Sequence, residues 1–225
     1  MSWISSFWRS SIGGKVTMAV TGLLLYLFVI AHLLGNLQIF AGAEKLNGYA
    51  LMLKNLGPVL WFARIGLAAV FVLHVVTAIR LTRANRAARP VRYAYEDTMK
   101  ATWASRSMVL SGLSLLGFVV YHLLHFTLGV TNPEHHALRT PDGQHDVYAM
   151  VVKSFSNPAI SGVYIAFQLM LFFHLSHGFQ SLMQTLGIHH GRYTPMVKRL
   201  GWLLAAAVAG GNIFIPVAVL SGMVR

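Results

Sequence analysis

The sequence predicts an all-α integral membrane protein with five transmembrane helices in a single domain, residues 1–225. Hydrophobic residues make up 56% of the chain and charged residues only 11%, whereas a soluble domain carries about 25% charged residues. Several apolar runs reach the length of about 20 residues that a spanning helix needs. These runs are continuous rather than alternating, which excludes a transmembrane β-barrel.

The predicted spans are separated by segments that are too polar to remain in a bilayer. The second span begins at Pro58, because proline is tolerated at the start of a helix, and Pro216 is expected to kink the last span. Before the first span, Trp3, Phe7 and Trp8 predict a short interfacial helix with its rings at headgroup depth. The predicted spans are residues 16–40, 58–81, 107–129, 158–186 and 200–220.

The basic residues predict how the chain is oriented in the membrane. The formal net charge is +12, and 12 Lys and Arg residues fall on the amino-terminal side of the spans against 6 on the opposite side. Cytoplasmic loops carry the excess of positive charge. We therefore expect a multi-pass protein of the bacterial inner (cytoplasmic) membrane, with a cytoplasmic N-terminus and an external C-terminus. Because orientation accounts for the charge, no nucleic-acid partner is expected.

Each of the first four predicted spans contains a histidine near one end: His32, His74, His122 and His174. An ionisable side chain in hydrocarbon costs a few kcal/mol and indicates function by default. At a rise of 1.5 Å per residue, His32 and His122 lie about 22–24 Å from the cytoplasmic face, in the outer half of the membrane. By the same measure His74 and His174 lie in the inner half, because their spans run in the opposite direction.

Two histidines at one depth and two at another predict two bis-imidazole haem sites in a bundle of the first four helices. The chain has no cysteine, which excludes covalent c-type haem and thiolate-bound iron–sulfur clusters. The haems would therefore be non-covalent haem b. His125 and His177 lie one turn beyond two of the predicted ligands and could line a haem edge or bind a propionate. Small residues that would give the macrocycles room are Gly22, Gly66, Gly112, Gly117 and Gly162.

The remaining histidines fall in predicted loops or at the interfaces, where a solvated surface position is expected. They are His135, His136, His145, His189 and His190.

Several segments resemble a known family. SSIGGKVTMAVTGLLLYLFVIAHLLGNLQIFAGAEKLNGYA, which contains His32, looks like the first helix and loop of the single-chain, five-helix, di-haem cytochrome b membrane-anchor subunit of succinate dehydrogenases and quinol:fumarate reductases. VLHVVTA, VYHLLHF and FFHLSHGFQSL resemble its later ligand segments. The resemblance implies two b haems, the outer one held by His32 and His122 and the inner one by His74 and His174. Residue depth alone gave the same pairs.

The resemblance also implies partners and an activity. The chain would anchor a flavoprotein subunit and an iron–sulfur subunit on the cytoplasmic side, as part of respiratory complex II. It would pass electrons from succinate through the two haems to a quinone, with menaquinone expected. Quinone-site candidates are Glu44, Arg64 and His125, although Arg64 could instead extend its head to the interface. Some relatives carry a glutamate linked to proton movement at the position of Phe172, which puts that route in doubt here.

The sequence is also compatible with alternative functions. The same subunit could serve a quinol:fumarate reductase that runs in reverse. A histidine-relay ion transporter would need carboxylates in the spans, whereas all six acidic residues fall in predicted loops. A haem-free structural anchor would leave the four histidines unexplained.

Overall fold

A computed structural model describes residues 6–7, 10–88 and 106–225 of the chain. Within these residues the chain is helical apart from turns and one isolated β-bridge between Arg139 and His145. The helices are α1 (Ser11–Asn36), which continues as a 3-10 turn (Leu37–Ala41), α2 (Ala43–Asn55), α3 (Pro58–Ala87), α4 (Met108–His122), which continues as a π-helical turn (Leu123–Thr127), α5 (Pro133–His136), α6 (Val147–Phe155), α7 (Pro158–Thr185) and α8 (Thr194–Leu220).

Five of these helices are long and apolar enough to cross a membrane, which confirms the predicted all-α membrane fold. They are α1 with its 3-10 turn, α3, α4 with its π turn, α7 and α8. Several extend beyond the predicted limits: α1 begins at Ser11, α3 continues to Ala87 and α8 begins at Thr194. The prediction followed the apolar runs, but a helix can continue into polar sequence because its backbone groups bond to one another wherever the helix lies.

Local sequence accounts for where two of the long helices begin. Ser10 caps α1, and its side chain accepts a hydrogen bond from the backbone N–H of Gly13 at 2.9 Å. Asn157 caps α7 in the same way through the N–H of Ala159, also at 2.9 Å. Such side chains satisfy backbone donors that have no partner within the helix.

Two of the polar segments between the predicted spans, residues 42–55 and 131–157, form short helices at one end of the bundle. Asn47 of α2 donates to Asp146 Oδ1 at 2.9 Å and accepts from the N–H of Tyr148 at 2.9 Å. Asp146 also caps α6 through the N–H of Ala149. These bonds fix α2 against α6, and Tyr148 further donates to the carbonyl of Arg225 at 2.9 Å. This end of the bundle is therefore a folded cap rather than a set of loose connections.

The four histidine-bearing helices lie side by side in the order α3, α1, α7, α4, so that neither predicted pair of histidines comes from neighbouring helices. α1 packs along α3 and α7, and α4 packs along α7, whereas neither α1 and α4 nor α3 and α7 pack extensively within the described residues. α8 packs mainly on α7, where Gly201 allows a close approach, since an added Cβ would lie 3.0 Å from Phe179. Thr77 is the one buried residue of α3, so this helix lies at the edge of the bundle.

Parts of two predictions fall outside the described residues. The predicted interfacial helix includes Trp3 and Trp8, and the polar segment between the second and third predicted spans includes residues 89–105.

Candidate functional site

His32 of α1 and His122 of α4 are in ring contact. Their ring centroids lie 5.8 Å apart and the rings are nearly perpendicular, at 88°. Phe28 stacks on His32 with centroids 5.5 Å apart, and Phe118 lies 5.8 Å from His122. The two imidazoles are therefore in edge-to-face contact, with an aromatic side chain beside each of them.

A π-helical turn after His122 brings a second histidine of the same helix into the bundle. The turn is closed by a hydrogen bond from the N–H of Leu128 to the carbonyl of Leu123 at 2.8 Å, five residues earlier. His122 and His125 both contact Tyr164 on α7. The Tyr164 hydroxyl lies 3.4 Å from His122 Nδ1 and 2.9 Å from His125 Nδ1. Single π turns inside α-helices are frequent at functional sites.

His74 is held on its Nδ1 side by the neighbouring helix. Thr21 Oγ1 of α1 lies 3.0 Å from His74 Nδ1, and the same hydroxyl donates to the carbonyl of Thr17 at 2.7 Å. Because the hydroxyl has one proton, which goes to the carbonyl, Nδ1 of His74 must be the donor to Thr21. The Nε2 atom of His74 is then left as the lone-pair nitrogen. A Cβ on Gly22 would lie 3.4 Å from Cε1 and 3.9 Å from Nδ1 of the same imidazole.

His174 repeats the arrangement on the other half of the bundle. Ser111 Oγ of α4 lies 3.3 Å from His174 Nδ1 and donates to the carbonyl of Met108 at 3.2 Å. The same proton count assigns the N–H to Nδ1 and the lone pair to Nε2. A Cβ on Gly112 would lie 3.6 Å from the imidazole. Histidines that bind metals through one nitrogen generally donate the other N–H to a fixed acceptor.

The four predicted ligands differ from His125 in burial and in hydrogen bonding. His32 is exposed within the chain and His74, His122 and His174 are only half-buried, so each ring keeps surface that a cofactor can contact. His125 is 1% exposed, and Tyr164 and Ser154 occupy both of its nitrogens. His32 and His122 are in ring contact, whereas His74 and His174 are not.

The donor set fits a haem better than a metal ion held by side chains alone. Within the described residues, no three His, Asp or Glu side chains gather as a small metal site would need. Two imidazoles per site suit an iron whose other ligands come from a macrocycle. In the part of the chain that the structure describes, three buried polar atoms have no hydrogen-bond partner, which suits a bound group with polar substituents: Tyr26 Oη, Thr77 Oγ1 and Gln168 Oε1.

The sequence reasoning did not identify Thr21, Ser111 or Tyr164. A signal for the first two exists, since Thr21-Gly22 precedes His32 by the same spacing as Ser111-Gly112 precedes His122. Gly22 and Gly112 each face an imidazole, and the room that the five glycines would give to macrocycles stays a prediction. The other predicted glycines have no atom within 4 Å of an added Cβ: Gly66, Gly117 and Gly162.

The quinone-site candidates lie in three different environments. Glu44 is exposed in the first turn of α2. Arg64 is exposed on α3, with its guanidinium carbon 5.3 Å from the ring of Trp61, so it lies on the outside of the bundle. His125 is enclosed and fully bonded. These three residues remain predictions.

Among the other histidines, His135 differs from the expected solvated position. Its side chain is 12% exposed, and its Nδ1 lies 3.0 Å from Ser154 Oγ. His177 bonds Ser181 of its own helix through Nε2 at 3.1 Å. His189 and His190 are exposed, as expected, and His136 and His145 are partly buried against each other, with ring centroids 4.7 Å apart.

Comparison with known protein families independently supports the predicted family. Residues 82–213, more than half of the chain, match the model of the succinate dehydrogenase/fumarate reductase transmembrane subunit family. The matched region contains His122 and His174. No characterised protein and no solved structure gives a significant match. The chain therefore belongs to the family of succinate dehydrogenase/fumarate reductase transmembrane subunits.

Proposed function

We propose that this chain is the membrane-anchor and electron-transfer subunit of a succinate:quinone oxidoreductase with two b haems. His32 and His122 would hold the outer haem, and His74 and His174 the inner one. The observation that carries this proposal is that Nδ1 of His74 and of His174 each lies against a hydroxyl of another helix, Thr21 and Ser111, which leaves Nε2 as the nitrogen that would bind a metal on both. Nothing in ordinary helix packing requires that two histidines on different helices share this tautomer.

The protein's own contribution is to hold and orient the imidazoles in a dry, aromatic setting. Each haem, when bound, supplies one-electron redox chemistry at the membrane interior. Thr21 and Ser111 fix the rings of the inner pair, and Tyr164 fixes His122. Burial and hydrogen bonding of this kind tune the reduction potential of a haem. Quinone protonation would fall to groups near the outer pair, among them the candidates Glu44, Arg64 and His125.

The orientation and partners follow from the charge asymmetry and the family. With the amino-terminal side in the cytoplasm of a bacterium, His74 and His174 lie towards the cytoplasm, where a flavoprotein and an iron–sulfur subunit would dock. Electrons from succinate would enter at the His74/His174 end and leave for menaquinone at the His32/His122 end. Phe172, which occupies the position of the proton-linked glutamate of some relatives, packs on Trp202 with centroids 4.7 Å apart and offers no proton-carrying group.

The same residues would serve a quinol:fumarate reductase, in which electrons travel in the opposite direction. The family includes both enzymes. The order of the two haem potentials and the potential of the quinone would decide the direction.

The haem content of the purified protein tests the proposal. A pyridine haemochrome assay against protein concentration should give two haem b per chain. A ratio near one or zero would reject the two-site arrangement. A protein with no haem and with histidine-dependent ion transport in liposomes would favour the transporter alternative.

A further inference from the structure

A continuous line of polar side chains leads from His122 to the outer surface. His122 Nδ1 lies 3.4 Å from Tyr164 Oη, which lies 2.9 Å from His125 Nδ1. His125 Nε2 lies 3.2 Å from Ser154 Oγ, and that hydroxyl lies 3.0 Å from His135 Nδ1. The line ends at Glu134, whose carboxylate lies 3.4 Å from His135 Nε2. We refer to these six residues as the outer polar chain.

The outer polar chain passes from the protein interior to water. Ser154 and His125 are 0% and 1% exposed and Tyr164 is 5% exposed. His135 is 12% exposed and Glu134 is 58% exposed. The residues come from α4, α5, α6 and α7, so the chain exists only because the cap at this end of the bundle is folded. Buried groups of this kind are expensive unless every donor meets an acceptor.

If His122 binds iron through Nε2, one assignment of protons satisfies the whole chain. His122 then donates from Nδ1 to the Tyr164 oxygen, and Tyr164 donates its proton to His125 Nδ1. His125 is therefore protonated on Nε2 and donates to Ser154, whose hydroxyl donates to His135 Nδ1. The remaining N–H of His135, on Nε2, faces the Glu134 carboxylate. Every donation points outward and the last group is an anion.

Glu134 is suited to act as that anion. Its pKa is held below the ordinary value, first by a hydrogen bond to its own backbone N–H and further by nearby His135, Asn132 and Lys153. A carboxylate at the end of a row of aligned donors draws each proton towards itself. The imidazole at the other end then becomes a stronger electron donor to a metal, which is the known effect of an acceptor behind a ligating histidine.

We propose that the outer polar chain is a positioning and potential-setting device, through which surface Glu134 lowers the reduction potential of the haem held by His122. Tyr164, His125, Ser154 and His135 act as positioning residues that carry this influence. The inference rests on the proposed function, because it needs a haem at His122. The inner pair ends on the helix carbonyls of Thr17 and Met108 instead, whereas the outer pair is linked through side chains to a surface carboxylate.

The test is a redox titration of the purified two-haem protein, with the outer haem identified as the signal that His122→Ala removes. Glu134→Gln should raise the potential of that haem and leave the inner one unchanged. Tyr164→Phe should raise it further, by roughly tenfold in the reduction equilibrium, which is about 59 mV for one electron. Asp142→Asn is the matched control, because it removes an exposed carboxylate of the same loop region. Asp142 is not part of the outer polar chain.

A double-mutant cycle distinguishes an effect carried by the hydrogen bonds of the outer polar chain from a direct electrostatic effect of the Glu134 charge. Ser154→Ala interrupts the chain at a small buried residue, and Glu134→Gln should have no further effect in that background. A Glu134→Gln shift that persists unchanged with Ser154→Ala would overturn the proposal, as would no shift at all or an equal shift from Asp142→Asn. If the wild-type protein lacks two haems, or His122→Ala keeps both, the proposed function fails instead.

Discussion

Thr21 of α1 accepts a hydrogen bond from Nδ1 of His74 on α3, over 3.0 Å. This bond ties a predicted haem ligand to the adjacent helix rather than to its own. The ring therefore cannot rotate without breaking the contact between two spanning helices. The bundle fixes the direction in which His74 Nε2 points even before a cofactor arrives.

Thr21→Val should raise the potential of the inner haem. Valine has nearly the shape of threonine but cannot accept the His74 N–H, so the imidazole becomes a weaker donor to iron. The expected change is roughly tenfold in the reduction equilibrium, measured by optical redox titration. Ser111→Ala should act in the same direction through His174. Thr17→Val is the control, because the Thr17 hydroxyl bonds only the carbonyl of Gly13; an equal shift from Thr17→Val would argue against the assigned role.

Gly22→Val should prevent the inner haem from binding. A Cβ at this position would lie 3.4 Å from the His74 ring, and the branches of valine would reach further into the ring and the space beside it. Gly210→Val carries the same change in helix propensity on α8, which bears no predicted ligand, at a position where nothing lies within 4 Å. Haemochrome assays should find one haem per chain in the Gly22 variant and two in the Gly210 variant. Two haems in both would remove the steric role of Gly22.

His122→Ala should abolish the outer haem, whereas His125→Ala should keep both. A single imidazole from α1 cannot ligate both faces of the iron, so the low-spin spectrum of that haem should disappear. His125 instead bonds Tyr164 and Ser154, and its removal leaves two buried hydroxyls short of a partner. This should lower the free energy of unfolding by about 1–3 kcal/mol, measured by thermal or denaturant unfolding in detergent. The opposite pattern of haem loss would place the α4 ligand one turn further along.

Charge reversal of Arg83, Arg86 and Arg89 should weaken docking of the iron–sulfur partner while both haems remain. Arg83 and Arg86 are exposed near the end of α3, on the predicted cytoplasmic side, and Arg89 lies beyond the described residues. Co-purification of the partner subunits measures the effect. Lys45→Glu, an exposed reversal at the opposite end of the bundle, is the control. Full recovery of the complex in the triple variant would mean that these arginines set topology only.

The sequence was sufficient for the parts of this structure that depend on hydrophobicity and on the cost of charge in lipid. Apolar run length located all five spans, and the histidines within them were recognisable because an imidazole is conspicuous among aliphatic side chains. The depth of each histidine predicts the pairing of His32 with His122, whose rings are in contact, and their role as haem ligands stays a prediction. The limits of α3 and α8 were less accurate, because polar sequence does not by itself end a helix.

The features that escaped prediction depend on contacts between helices. Threonine and serine are common in membrane helices for packing reasons, so Thr21 and Ser111 carried no distinctive signal until their partners were known. Tyr164 is one aromatic residue among many. Residues 131–157 contain turn-forming sequence, and only contacts such as Asn47 with Asp146 reveal that they fold as a cap. The partial burial of His135 also depends on a contact between helices, with Ser154, that the sequence does not reveal.

The π turn of α4 is equivalent to a one-residue insertion in a regular helix. Deleting one residue between the two histidines, for example Leu124, would place the second histidine two residues after His122, about 200° around a regular helix instead of on nearly the same side. His122 would keep its place against His32, but the next histidine would leave Tyr164 and Ser154. The enclosed position of His125 is thus set by the length of the backbone between it and His122, and a shift in chain length would change it without altering either side chain.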